Sequence, residues 1–332
     1  MLAQVLDIFG RNGSDLQEQD VDPASPRLFA APLGLALGGG AAKGWSHIGV
    51  LRALEEAGIR PDIIAGTSIG AVVGGCYLAG ELDRLEEFAR SLTKRRLLGL
   101  LDVSFSGKSL ISGARLTKLL RRYLEDIQIE DLDRPFMAVA TELSTGHEIW
   151  LRKGHLVTAM QASYALPGIF NPVNVNGRHL VDGALVNPVP VSLARAMGAR
   201  VVIAVNLSSD TFGRGTIIPH AHDEDDRIQP HPDNDPITPA SGPLGSIRNL
   251  IYGREADSQS ISSIMFDAYT IIQDRISRSR LAGDPPDLTI NPRLHEIGMF
   301  DFQRADESIQ AGYDAALRAI RELSDLSDDL KA

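Results

Sequence analysis

Cysteine is nearly absent from this 332-residue chain, where Cys76 stands alone. A single thiol builds neither an internal disulfide framework nor a thiolate metal site. Cations are the minority charge: Lys and Arg number 33 against 43 Asp and Glu, a formal net charge of −10. A nucleic-acid binder shows the opposite balance, so no nucleic-acid partner is expected. The negative body also works against purely electrostatic docking on anionic membranes. Peripheral membrane contact, which the sequence leaves open, would need an apolar patch or a local basic face. Long apolar runs are missing as well. None reaches the roughly 20 residues that span a bilayer. The longest candidate, 63–80, is rich in glycine and small residues and reads as a strand plus a core helix. Residues 1–20 show no basic flank followed by an apolar run, so no secretory signal is expected there. The expected location is cytoplasmic, with a membrane-peripheral one left open.

What is present is an ordinary apolar share of 43%, enough for a sizeable core, and no internal repeat. Leu33 to Leu37 is a short apolar run ending in three glycines, the mark of a buried strand. From His47 to Ala57 the residues Ile48, Leu51 and Leu54 share a helical face, and Gly58 stops the helix. A second strand, Asp62 to Ala65, runs into Gly66-Thr67-Ser68-Ile69-Gly70, and a core helix is expected over about 71–79. Strand, glycine turn, helix, strand, tight turn, helix is the pattern of a parallel sheet in three layers. Phe136 to Thr141, His147 to Arg152 and Val201 to Asn206 fit the same plan. Residues 83–130 read as helical and charged, a cover for the sheet or the site entrance. Residues 1–30 read as an arm and 31–207 as the core. The stretch 208–245 reads as a Pro-rich mobile loop or lid. Residues 246–325 read as a helical part of the same domain, with helices over 246–281 and 302–323. Self-association through the first of these is left open.

Gly66-x-Ser68-x-Gly70 has the spacing of a nucleophile turn. A serine on a sharp strand-to-helix turn needs neighbours without bulk, so Gly66 and Gly70 support it. In return its Oγ is exposed at the positive end of a helix. Gly38-Gly39-Gly40, with Lys43 and Gly44, closes the first strand. Consecutive glycines let backbone N–H groups converge, so Gly38, Gly39, Gly40 and Ile69 are the candidate oxyanion donors, with Lys43 bracing the loop. A loosened dinucleotide fingerprint competes here, but it wants an acid at the end of the second strand, and Asp62 stands at its beginning. A phosphate loop is excluded, because Gly44 and Trp45 follow Lys43.

The serine needs a base. His47 sits in the first helical turn on the oxyanion side. His147, His155 and His179 fall in turn-rich segments, and His220, His222 and His231 in the Pro-rich stretch. His295 would complete a Ser68, Asp182, His295 order. The stronger candidate is Asp182, between a short apolar run and Gly183, although by spacing alone it reads as a turn residue. Desolvation would raise its basicity above the ordinary carboxylate range.

Together these residues resemble the patatin-like phospholipase family in its compact bacterial form. The carrying blocks are Gly38 to Gly44, Gly66 to Gly70, Ala162 to Pro172 with its Pro167-Gly168-Ile169-Phe170 ending, and Asp182-Gly183-Ala184. The resemblance implies a three-layer α/β/α patatin-like fold with a mainly parallel central sheet. It implies a Ser68–Asp182 dyad without histidine that hydrolyses lipid or acyl-ester substrates, with no metal and no cofactor. An acyltransferase using the same serine and a catalytically silent module are the rival expectations.

Overall fold

Apolar runs without polar alternation suit strands covered on both faces. In the computed structural model, which describes residues 31–100, 114–124, 126–209 and 261–329, such runs form the centre of an eight-stranded sheet. β1 (Leu33–Leu37) lies between β2 (Ile63–Thr67) and β7 (Val201–Val205), parallel to both, and all three are buried. β3 (Phe136–Glu142) adds in parallel beside β2, and β8 (Leu288–Ile290) beside β7. β4 (Glu148–Leu151) and β6 (Arg178–Asp182) run antiparallel to β3, and β5 (Val173–Val175) is antiparallel to β6. The order is β5-β6-β3-β2-β1-β7-β8, with β4 also on β3. The expectation that His147 to Arg152 joins the parallel plan is thus corrected. The connection from β3 to β4 is too short for a crossover, so the chain must turn back as a hairpin.

Alternate residues of the central strands build separate cores. Leu35, Leu37 and Ile64 pack with α1 (Ser46–Glu56), α2 (Ile69–Leu78) and α6 (Leu156–Tyr164). Ala36, Ala65 and Ala204 pack with Val191, Leu193 and Ala194 of α7 (Val191–Ala196). The chain therefore folds as three layers, α/β/α, around a mostly parallel sheet. α3 (Leu82–Arg90), α4 (Lys94–Leu100) and α5 (Ala114–Leu124) supply the helical cover expected between 83 and 130.

Two long helices follow, α8 (Ile261–Gly283) and α9 (Ala305–Asp329). α9 crosses α1 at van der Waals distance: a Cβ on Gly312 would stand 1.9 Å from the Ser46 carbonyl, so only glycine fits there. Ser308 of α9 then donates to the Lys43 carbonyl at 3.0 Å and braces the glycine loop from behind. The apolar residues of α8 divide between two faces. Phe266 and Tyr269 pack beside Leu97 and Ile169, whereas Met265 and Ile272 are exposed. The expected arm over 1–30, the Pro-rich stretch beyond 209 and the helical start over 246–260 lie outside the described residues.

Candidate active site

The sheet itself brings the two principal candidates together. Val139 of β3 pairs with both Thr67 and Trp150, and Ala140 pairs with both Ile149 and Asp182. A strand residue has one neighbour on each edge, and β4 takes one edge at both positions. β2 and β6 therefore share the other edge, end to end. β2 ends at Thr67, immediately before Ser68, and β6 ends at Asp182. A separation of 114 positions in sequence closes to one hydrogen bond: Ser68 Oγ donates to Asp182 Oδ2 at 2.7 Å.

Ser68 occupies the turn with φ 55° and ψ −122°, a backbone conformation that few residues other than glycine adopt. The surroundings hold it there. A Cβ on Gly66 would lie 2.5 Å from the Ala71 Cα, and one on Gly70 would lie 2.2 Å from the Leu37 carbonyl oxygen. Strand, turn and helix therefore close on one another only with glycine at both places. The Ser68 N–H donates to Ser163 Oγ of α6 at 2.8 Å, which pins the turn from a third element.

Asp182 is 3% exposed. Its Oδ1 accepts from the Ala184 amide at 2.8 Å, and its carbonyl accepts from Thr141 Oγ1 at 2.8 Å. Gly183 sits against β3, where any Cβ would meet the Val139 carbonyl at 2.3 Å. Burial pushes the carboxyl up to about 7, against the opposing pull of the Ala184 and Ser68 hydrogen bonds. No histidine takes part in this pair. His295 is on the surface beside Glu296. His47 is fully buried, and its Nε2–H donates to the Gly38 carbonyl at 2.7 Å. Burial pushes His47 down to about 4, so it is neutral near pH 7. It braces the glycine loop and is not bonded to Ser68.

That loop corrects one expectation. The Gly38 amide donates to the Val205 carbonyl at 3.1 Å, and the Gly39 amide to the Pro188 carbonyl at 2.9 Å. The first bond ties the loop to β7 and the second to the connection between β6 and α7, so both N–H groups are already engaged and neither is free to serve as an oxyanion donor. The Gly40 and Ile69 amides make no hydrogen bond to another described residue, and Ile69 opens α2 at its positive end. Gly39 is close for a different reason: a Cβ there would stand 3.5 Å from the Ser68 Cβ, so its bareness keeps the Ser68 hydroxyl approachable. Lys43 contributes its carbonyl, which accepts from Ser46 Oγ at 2.8 Å as well as from Ser308. The dinucleotide alternative loses its acid, because Asp62 accepts the Leu33 amide at the opposite end of β1 from the glycines.

A cavity of about 600 Å³ opens from Ser68 and Asp182, within the range of small-ligand sites. Apolar side chains such as Ile69, Leu85, Leu120, Phe170 and Phe302 line it. Ser68, Val72 and Cys76, spaced at four-residue intervals along α2, all face it. Burial raises the Cys76 thiol to about 12, which leaves it unreactive as a nucleophile.

Residues 35–195, which carry the glycine loop, the serine-bearing turn and Asp182 in that order, match a family model described as patatin-like phospholipase. An uncharacterized NTE family protein of Mycobacterium tuberculosis is 32% identical over 93% of this chain and 95% of its own length. The chain belongs to the patatin-like phospholipase family. The human patatin-like phospholipase domain-containing protein 6 is 38% identical over 189 residues, which are 55% of this chain and 14% of that protein. The crystal structure of VipD from Legionella pneumophila covers 88% of this patatin-like chain and 67% of its own, with TM-score 0.45 and 12% identity, too loose a likeness to argue from. Among the described residues of this patatin-like chain, no helix is long and apolar enough to cross a membrane. Among those same described residues, no His, Cys, Asp and Glu form a group placed to hold a metal.

Two roles in the patatin-like site escaped the reading by motif, that of Ser163 at the Ser68 amide and that of His47 as a brace. Ser163 lies inside the matched Ala162 to Pro172 block, but nothing local says that its hydroxyl reaches the Ser68 amide. His47 follows the glycine loop by a few positions, and its signal is a polar ring on the otherwise apolar face of Ile48 and Leu51.

Proposed function

We propose that this chain is a serine lipid acyl hydrolase that cleaves carboxylic esters through an acyl-enzyme. The Ser68–Asp182 hydrogen bond of 2.7 Å at the floor of an apolar cavity carries the reading. Ser68 Oγ attacks the ester carbonyl as its proton passes to Asp182. A carboxyl raised to about 7 is matched to that exchange near neutral pH, where an ordinary carboxylate near 4 is too weak a base. The tetrahedral oxyanion forms against the Gly40 and Ile69 amides, at the positive end of α2. Asp182 returns the proton to the departing alcohol or lysolipid. Water, deprotonated by the same carboxylate, then attacks the acyl-serine and releases the fatty acid.

No histidine is needed in this scheme, and every bond is made and broken by Ser68, Asp182, ester and water. The core over 31–207 and the C-terminal helices act as one catalytic unit, because α9 braces the glycine loop through Ser308. The test is hydrolysis of p-nitrophenyl esters and phospholipids by the wild-type chain and Ser68→Ala. The variant is expected to lose at least about 10³-fold in rate while keeping its fold. A fluorophosphonate should label the wild type only. Unchanged turnover in Ser68→Ala would refute the nucleophile, and product capture by an added alcohol in place of water would mark a transferase.

A further inference from the structure

Charge is unevenly divided over the chain. α4 carries Lys94, Arg95 and Arg96, and α5 carries Arg115, Lys118, Arg121 and Arg122, with no Asp or Glu in either helix. The whole chain has a net charge of −10, so an anion drawn to these two helices is repelled by much of the remaining surface. Elsewhere exposed arginines meet carboxylates. Arg90 pairs with Glu86 at 2.9 Å and Arg280 with Glu148 at 2.8 Å. Arg95, Lys118 and Arg121 are exposed, and no described carboxylate pairs with them.

The same two helices wall the cavity. Leu97 of α4 and Leu116, Leu120 and Tyr123 of α5 line it together with Ser68. Leu120 is buried and Tyr123 is 43% exposed, so α5 passes from the apolar wall to the water at the cavity's edge. There the Arg84 and Arg122 guanidinium groups stand over the Tyr123 ring, 5.2 Å and 5.9 Å from its centre. Arg84 and Arg96 also face the cavity, as do Glu81 and Glu87, and Arg84 is paired with Glu81 at 3.0 Å, so the face rests on Arg95, Lys118 and Arg121 of α4 and α5. An amphipathic aromatic flanked by cations, with leucines turned inward, is the side-chain set that suits the headgroup level of a bilayer. A soluble anionic protein would be met by the same cations, but it gives no reason for an apolar cavity to open between them.

We propose that the cationic outer face of α4 and α5 docks this chain on anionic lipid bilayers with the cavity mouth turned to the lipid. The face serves the acyl-hydrolase reading above and is tested apart from it. The chain's net negative remainder then favours this orientation on an anionic surface over others.

The experiment is co-sedimentation of the full chain with vesicles of phosphatidylcholine alone and of phosphatidylcholine mixed with phosphatidylglycerol. Binding is expected on the mixed vesicles only, and it should weaken as salt rises. Joint replacement by Arg95→Gln, Lys118→Gln and Arg121→Gln should weaken it by at least about tenfold. Arg60→Gln, Arg200→Gln and Arg318→Gln, the same charge change at exposed positions elsewhere, should leave it intact. Ser68→Ala should bind as the wild type does, so a failure of the chemistry leaves docking measurable. The α4–α5 variant should still hydrolyse a soluble short-chain ester at the wild-type rate. Equal binding to both vesicle types overturns the proposal. So does full binding by the α4–α5 variant, or an equal loss in the control. A lower oligomeric mass for the α4–α5 variant in lipid-free solution also overturns it and assigns the face to a second copy.

Discussion

Burial decides what Asp182 can do. Its carboxyl is raised to about 7, chiefly by desolvation, so it is largely protonated below that pH and cannot accept the Ser68 proton. The rate at low substrate, kcat/KM, is expected to climb about tenfold per pH unit up to about pH 7 and then level off. A profile that is flat from about pH 5 upwards would show that another group takes the proton. The same shift has a consequence for stability. The unfolded carboxyl titrates near 4, so between about pH 4 and about pH 7 the folded chain holds a proton that the unfolded chain has released. The stabilisation is complete below about pH 4 and is lost as pH rises through about 7. Asp182→Asn cannot ionise and so escapes that loss: at pH 8 it should be more stable than the wild type by an amount on the order of a few kcal/mol, with the margin shrinking towards pH 4. Thermal melts of the two proteins across that range measure it. At this scale the motif residues were legible because a nucleophile turn dictates its own glycines. The donor assignment at Gly38 and Gly39 was not, because the direction of an amide depends on whether Val205 and Pro188 lie within reach, and that is set by how distant segments pack together.

Elements position the residues, and their legibility follows how each is buried. β1, β2 and β7 are continuous apolar runs because both faces are covered, and such runs stand out in a sequence. β5 and β8 are only 3 residues long and leave no periodic trace. The β5–β6 hairpin did leave a local mark. Asn176-Gly177 joins the two strands, and both residues have positive φ, at 51° and 83°, as a two-residue turn of this hand requires. That hairpin matters because it delivers Asp182 to the edge of β3 that β2 vacates. The turn before α2 is the matching device on the other side. Gly70→Ala would put a methyl 2.2 Å from the Leu37 carbonyl, and neither β1 nor α2 can retreat within a packed sheet. The variant is expected to lose at least about 3 kcal/mol of stability and most of its activity, measured by denaturant unfolding and ester hydrolysis. A variant of wild-type stability would show that the turn is looser than the contact implies.

At the scale of the whole molecule, the sheet supplies the chemistry at one end, and the helical cover supplies the room beside it. The cavity of about 600 Å³ lies between α2 and the α3, α4 and α5 cover, and on the acyl-hydrolase proposal its apolar walls keep water from the carboxylate and receive the acyl chain. Ser68, Val72 and Cys76 mark its course along α2, a rise of about 12 Å from nucleophile to thiol. An acyl chain bound along that row buries one methylene after another, each strengthening binding by about 0.8 kcal/mol, or about fourfold in kcat/KM. A series of p-nitrophenyl esters should therefore rise with chain length and reach a plateau once the chain fills the row. Cys76→Phe places a ring in the far end of the cavity, where the buried thiol now lies, and leaves the volume beside Ser68 unchanged. It should lower the plateau and bring it to shorter esters, while the shortest esters keep their rate. Equal loss at every length would indicate a damaged fold, and an unmoved plateau would place the acyl chain along a different wall.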